Sequence, residues 1–198
     1  KTVTTTKKMK NSKGVYYNGK VSTKTVEYVY YVPYSSDLHR NDIINVGEKY
    51  IEDKVHEAFD RLTALGVKSR AFPDRLVTDV FAHAKDYFER IPMIEQSDLG
   101  EFTLNPTQTA ERVNVIVATN GEQAFSKTCN GSSACGWVQF IPSTYTAIRK
   151  AYPLAQLNTD TMAGRANHLN SMMSAILLYD YNLGDLVKKF GNNIVNDP

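Results

Sequence analysis

The apolar positions change period along the chain. Over the first 36 residues they alternate or run together as in strands, and beyond that they recur every three or four residues as in helices. Asn18-Gly19, set between tyrosines and valine, predicts a tight hairpin turn. The following run, TKTVEYVYYVPY, places Val26, Tyr28 and Tyr30 on one face and Val29 and Tyr31 on the other, and Pro33 ends it. Its tyrosines, with Tyr16 and Tyr17, either pack a strand pair onto a helical body or offer a platform for stacking sugars.

From Asp37 the pattern is helical. Ile44, Ile51, Val55, Phe59, Leu62 and Leu65 form an amphipathic stripe closed by Gly66. Pro73-Asp74 opens a second predicted helix through Val77, Val80, Phe81, Ala84 and Phe88, stopping near Pro92. After a looser stretch a third starts near Thr107, with Ala110, Val113, Ile116 and Val117 inward and Gly121 near its end. Pro142-Ser143 begins a short helix through Tyr152, with Ser143 as the expected cap. A last long helix carries Ala166, Leu169, Met172, Met173, Ile176 and Leu177, the methionines as core filler. The expected fold class is α+β, mainly α: a β-hairpin segment over residues 1–36 and a helical domain over 37–198.

Composition narrows the function classes. The 198 residues are 42% hydrophobic and 22% charged, which is globular and excludes wholesale disorder. Lys+Arg 23 against Asp+Glu 21 gives a net charge of +2, so no nucleic-acid partner is expected. The local excess at Lys1, Lys7, Lys8, Lys10 and Lys13 reads as a solvated end. No apolar run approaches the roughly 20 residues of a membrane span. The chain begins at Lys1, which leaves room for a removed leader, anchor or further domain.

Cys129 and Cys135 flank a Gly/Ser-rich stretch, CNGSSAC. They are either neighbouring thiols or a small disulfide loop worth roughly 2 kcal/mol, and the bond would favour an oxidising compartment.

Beside this loop lies the chemistry. Glu122 follows VNVIVATNG, an apolar helix end without charge. A carboxyl group desolvated there has a raised pKa, stays protonated near neutrality and serves as a general acid. Further on, GWVQFIPSTY sets the Gln139 amide beside a tight turn. Together, Glu122, the loop SKTCNGSSAC, Gly136-Trp137-Val138-Gln139 and Ile141-Pro142-Ser143-Thr144 resemble the catalytic region of the soluble lytic transglycosylases, which are lysozyme-like. That family has a Glu at a helix end, a polar loop, Gly-Leu-Met-Gln and an apolar-Pro-Ser-Thr segment. The resemblance covers about residues 104–190. Two departures stand out: Gln123 replaces the usual Ser after the acid, and Trp137-Val138 replaces Leu-Met. The family's Tyr-Asn pair has one local candidate, Tyr181-Asn182, although AGRANHLNSMMSAILLYDYNLGDL is more similar to the helix preceding that pair.

The resemblance implies a lysozyme-like fold and cleavage of β-1,4 bonds in peptidoglycan, in the periplasm or outside the cell. It implies Glu122 as sole catalytic acid and then base, a 1,6-anhydro product, and no cofactor or metal. The stretch between Glu122 and Asp160 contains no other acid, which suits a single-carboxylate mechanism. Gln139 and Gly136 would meet the glycan strand. Trp137 and Phe140 would line sugar subsites or the core, and Tyr145 and Tyr181 are further groove candidates. Three other readings stay open. A non-catalytic glycan-binding or envelope module would keep the same shape. SACGW weakly suggests a thiol enzyme, with His39, His56, His83 or His168 as base. A zinc protease lacks the second histidine after His56-Glu57.

Overall fold

The computed structural model describes residues 2–10, 16–27 and 31–191. It divides into two compact units, Lys1–Val32 and Pro33–Pro198. The division falls a few residues before the expected boundary, because the short 3-10 turn Ser36–Leu38 belongs with the helices. Next to that turn, the Tyr34 hydroxyl lies 2.8 Å from His39 Nδ1.

In the first unit β1 (Thr2–Lys10) pairs antiparallel with β2 (Tyr16–Glu27). Thr4 pairs with Thr25 and Thr6 with Thr23 in the ladder register. The expected turn at Asn18-Gly19 is corrected: both residues lie inside β2. The register jumps beside them, from Lys8 opposite Val21 to Lys10 opposite Tyr16. Their permissive backbone therefore accompanies an irregularity in the ladder instead of the chain reversal. Tyr28 and Tyr30 of the expected tyrosine platform lie outside the described residues, as do Lys1 and Lys13.

Among its described residues the second unit is mostly helical, with isolated β-bridges at Lys68–Leu76, Cys129–Cys135 and Cys135–Phe140. The first stripe forms α1 (Asn41–Ala64), which buries Ile44, Ile51, Val55, Phe59 and Leu62 and stops before Gly66, whose φ of +64° suits glycine. The second expected helix is two: α2 (Val77–Val80) and α3 (Lys85–Glu95), separated by a turn at residues 81–84. Phe81 leaves helical geometry at the end of α2, while Phe88 is buried and packs edge-on against Phe81 and Phe59. The aromatic cluster thus holds both pieces without a continuous helix. α3 also runs through Pro92 to Glu95.

The looser stretch contains α4 (Leu99–Leu104), capped by the Asp98 side chain, which accepts from the Glu101 amide. Pro106 opens α5 (Pro106–Asn120) as its first residue, where a missing N–H costs nothing. Pro142 does the same for α6 (Pro142–Ala151), so the cap position falls on Ile141 and not on Ser143. Ala166 ends a separate short helix, α7 (Thr161–Ala166). The long helix α8 (His168–Phe190) starts after Asn167, whose side chain accepts from the Asn170 amide.

The core lies where α1 packs against α5 and α8. His39 meets Glu111, Gly47 meets Asn114 and Lys54 meets Glu122, so α1 and α5 run in the same direction. Their approach is close: a Cβ on Gly47 would stand 2.0 Å from the Asn114 carbonyl oxygen. Met172 and Met173 are buried in this core. Among the described residues, no helix is long and apolar enough to cross a membrane.

Candidate functional site

The apolar face of α5 ends at Asn120, and Glu122 follows in the 3-10 turn Gly121–Gln123. Gly121 caps the helix with a positive φ of 52° and turns the chain so that Glu122 leaves the core. Its side chain is 46% exposed. Lys54 Nζ lies 2.8 Å from Glu122 Oε1, and His168 Nδ1 lies 4.0 Å from Oε2. Lys54 also reaches Glu57 Oε2 at 2.9 Å, one turn further along α1. The Lys54 ammonium is thus shared between two carboxylates that can stand no more than the sum of those contacts apart.

This arrangement reverses the expected pKa. Partial burial, the largest single effect, pushes the Glu122 carboxyl up, but Lys54, through its hydrogen bond and its charge, and the Tyr50 hydroxyl outweigh it. Glu122 is held below the ordinary carboxylate range and is ionised in the resting protein. For Lys54, burial works against the charge, and hydrogen bonds to Glu122 and Glu57 raise it above its ordinary value.

Behind Glu122 sits a buried aromatic stack. His168 is fully buried, and its Nε2 lies 2.7 Å from the Ala124 carbonyl. A carbonyl only accepts, so Nε2 carries the proton and Nδ1 of the neutral ring accepts from the Tyr50 hydroxyl at 2.9 Å. Burial lowers the His168 pKa, which keeps the ring neutral against the opposing pull of Ala124 and Glu122. Tyr50 has one proton, and both His168 and Glu122 present acceptors to it.

The loop after Glu122 is closed by the Cys129–Cys135 disulfide. With both cysteines bonded, the thiol-enzyme reading is corrected: there is no thiolate nucleophile. Cys135 and Phe140 exchange backbone hydrogen bonds across a tight turn. Arg165 is buried and donates through Nη1 to the carbonyls of Ser133 and Phe140, at 2.8 and 2.9 Å. Gln96 Nε2 donates to the carbonyls of Gly136 and Trp137 at 3.0 and 2.9 Å. Phe125, Ser133 and Gln139 all adopt positive φ in this stretch, a concentration of backbone strain that pinned loops sustain.

The expected substrate-binding residues separate into two groups. Trp137 and Tyr145 are fully buried, so they are core residues and not groove walls. Trp137 lies flat on His168, and Tyr145 donates to the Asn158 carbonyl while accepting from Asn170 Nδ2. Gly136 has a φ of +81° and a Cβ there would stand 1.9 Å from the Arg165 carbonyl oxygen, so packing demands the glycine. Tyr181 packs beneath the Arg70 guanidinium, 4.1 Å from the ring centre. It is thirteen residues along α8 from His168, about 20 Å by helical rise, and so remote from Glu122.

Gln139 and Phe140 remain beside open space. They line a cavity of about 220 Å³ with Glu95, Thr144 and Tyr179. The Gln139 amide nevertheless donates to the carbonyls of Gly136 and Thr128, at 2.7 and 3.3 Å. Burial raises the Glu95 carboxyl above its ordinary value, so the protonatable acid of this cavity is Glu95. A larger cavity, about 720 Å³, lies between α1 and α3 and is lined by Glu52, His56, Asp86 and Glu89.

Tyr50, Lys54 and Glu57 were not foreseen as site residues. Their spacing of four and three places them on one face of α1, and that was their only signal in the sequence. Glu95 carried no signal of its own. Among the described residues, no group of three or more His, Cys, Asp or Glu could hold a metal ion. Scanned against family models, curated proteins and solved structures, the chain matches none of them.

Proposed function

We propose that the chain is a peptidoglycan lytic transglycosylase of lysozyme-like fold, acting in the cell envelope with Glu122 as its single catalytic carboxyl. The observation that carries the reading is the placement of Glu122: a half-exposed carboxylate at the end of a buried helix, with Lys54, Tyr50 and His168 converging on it. The Cys129–Cys135 bond supports an oxidising compartment.

Protonated Glu122 gives its proton to the glycosidic oxygen as the C–O bond breaks. Positive charge spreads over the sugar ring, and the new carboxylate faces it. The carboxylate then takes the proton of the sugar's own 6-hydroxyl, whose oxygen closes on the anomeric carbon to give the 1,6-anhydro ring. An internal nucleophile needs no water held in place. Lys54 stabilises the carboxylate form on which the second half depends. It also means that cleavage proceeds from the minority protonated form of the free protein.

A second reading has its own support. Glu122 held as an ion pair, with the Gln139 amide turned onto backbone carbonyls, suits a glycan-binding or structural module without turnover. Purified protein on insoluble peptidoglycan separates the two, with Glu122→Gln and Glu95→Gln alongside. The transglycosylase reading expects lysis that Glu122→Gln abolishes and Glu95→Gln leaves largely intact. Binding without lysis favours the module, and the opposite variant pattern moves the acid to Glu95.

A further inference from the structure

Lys54 sits between two carboxylates in a way that the proposed reaction does not by itself require. Its Nζ lies 2.8 Å from Glu122 Oε1 and 2.9 Å from Glu57 Oε2. Its side chain is 18% exposed, against 46% for Glu122 and 50% for Glu57. The ammonium therefore has little water to fall back on and depends on its two partners. When Glu122 takes up a proton, Lys54 loses one partner and keeps the other.

We propose that Lys54 and Glu57 are positioning residues that together decide when Glu122 carries a proton: Lys54 clamps the Glu122 carboxylate, and Glu57 holds Lys54 when the clamp opens. This rests on the reading of Glu122 as the catalytic acid. Four neighbours face Glu122 from the elements packed against it. Tyr50, Lys54 and Glu57 come from α1 and His168 from α8. His168 is neutral and fully buried, and Tyr50 stays protonated, so Lys54 is the one full positive charge among these four.

The signs are opposite for the two residues. Lys54→Met removes the clamp and leaves Glu57 as a like charge, so Glu122 protonates at higher pH. Glu57→Gln removes that like charge and gives Lys54 wholly to Glu122, so Glu122 protonates at lower pH. A role confined to holding the fold would move both profiles alike or neither.

Two measurements on the whole chain test this. The first is the pH profile of peptidoglycan cleavage, where the alkaline limb reports loss of the acid form. It is expected to move up by about one pH unit or more in Lys54→Met and down in Glu57→Gln, with activity retained at low pH. The second is the carboxyl carbon chemical shift of Glu122 followed by NMR through a pH titration, which needs no turnover. Its midpoint is expected to move in the same two directions. Unmoved midpoints overturn the clamp, and loss of cleavage at every pH in Glu57→Gln makes Glu57 a second catalytic carboxylate instead. If Glu122→Gln still cleaves while the midpoints shift as expected, the clamp stands and the catalytic reading falls.

Discussion

Trp137 lies parallel to His168, with ring centroids 4.2 Å apart and planes within 4° of each other. The contact buries the imidazole face and leaves only its two nitrogens engaged, one with Tyr50 and one with the Ala124 carbonyl. A ring enclosed in this way resists protonation, and the stability of the protein inherits that resistance.

His168 therefore predicts how stability changes with pH. Its folded pKa is depressed below the ordinary 6.5, so as pH falls the unfolded chain binds this proton first. The His168 contribution is fully present above that ordinary value. It is lost as pH drops toward the lower folded pKa. Thermal unfolding followed from neutral to mildly acidic pH should show a falling midpoint that is flatter in His168→Phe. Equal slopes in the two proteins would contradict the assignment.

Asp180 is fully buried and accepts from Ser69 Oγ at 2.5 Å, the Arg70 amide at 2.6 Å and the Tyr152 hydroxyl at 2.7 Å. Asp180→Ala leaves three donors without their acceptor and is expected to cost about 3 kcal/mol, read by denaturant unfolding. Glu122 sits beside His168, twelve residues before Asp180 on α8 and about 18 Å away by helical rise, so activity per folded molecule should change little.

Gly47 predicts the reverse pattern. Its missing Cβ allows α1 to lie against the Asn114 backbone, and Gly47→Ala forces the helices apart at a cost of about 2 kcal/mol. Tyr50 and Lys54 lie within the next two turns of α1, so the separation also draws them from Glu122. The variant should lose stability and move the Glu122 titration midpoint upward, which a purely local clash would not do.

The disulfide closes the loop from Cys129 to Cys135, which leads directly into the turn from Gly136 to Gln139. Replacing both cysteines by serine is expected to cost roughly 2 kcal/mol in thermal or denaturant unfolding. Arg165 holds the same loop through two carbonyls, so Arg165→Met should be at least as damaging, because those buried acceptors lose their charged donor. A double-cysteine variant as stable as the parent would show that Arg165 and Gln96 suffice to fix the turn.

The helical stripes were legible because burial follows period: Ile51, Val55 and Leu62 line up on α1 and are buried there. The mainly helical class followed from those stripes. The break between α2 and α3 was hidden, because Val77, Phe81 and Phe88 keep helical spacing across a turn that an aromatic cluster stabilises from outside. Asn18-Gly19 misled because a local turn preference was outweighed by cross-strand pairing further along. Glu122 drew attention through its own neighbours in sequence, but its charge state is set by Lys54, which is distant in the chain. Desolvation was the only effect visible locally, and on its own it has the opposite sign. Trp137 and Tyr145 were ambiguous for a related reason: an aromatic ring has the same sequence signature in a sugar subsite as in a core.

The most direct test of the central claim is the mass of what purified protein releases from peptidoglycan. The account predicts muropeptides carrying 1,6-anhydro ends, one water lighter than hydrolysis products, from the parent chain and none from Glu122→Gln. Release of anhydro products by Glu122→Gln at the parent's rate, or no release by the parent at any pH, would contradict it.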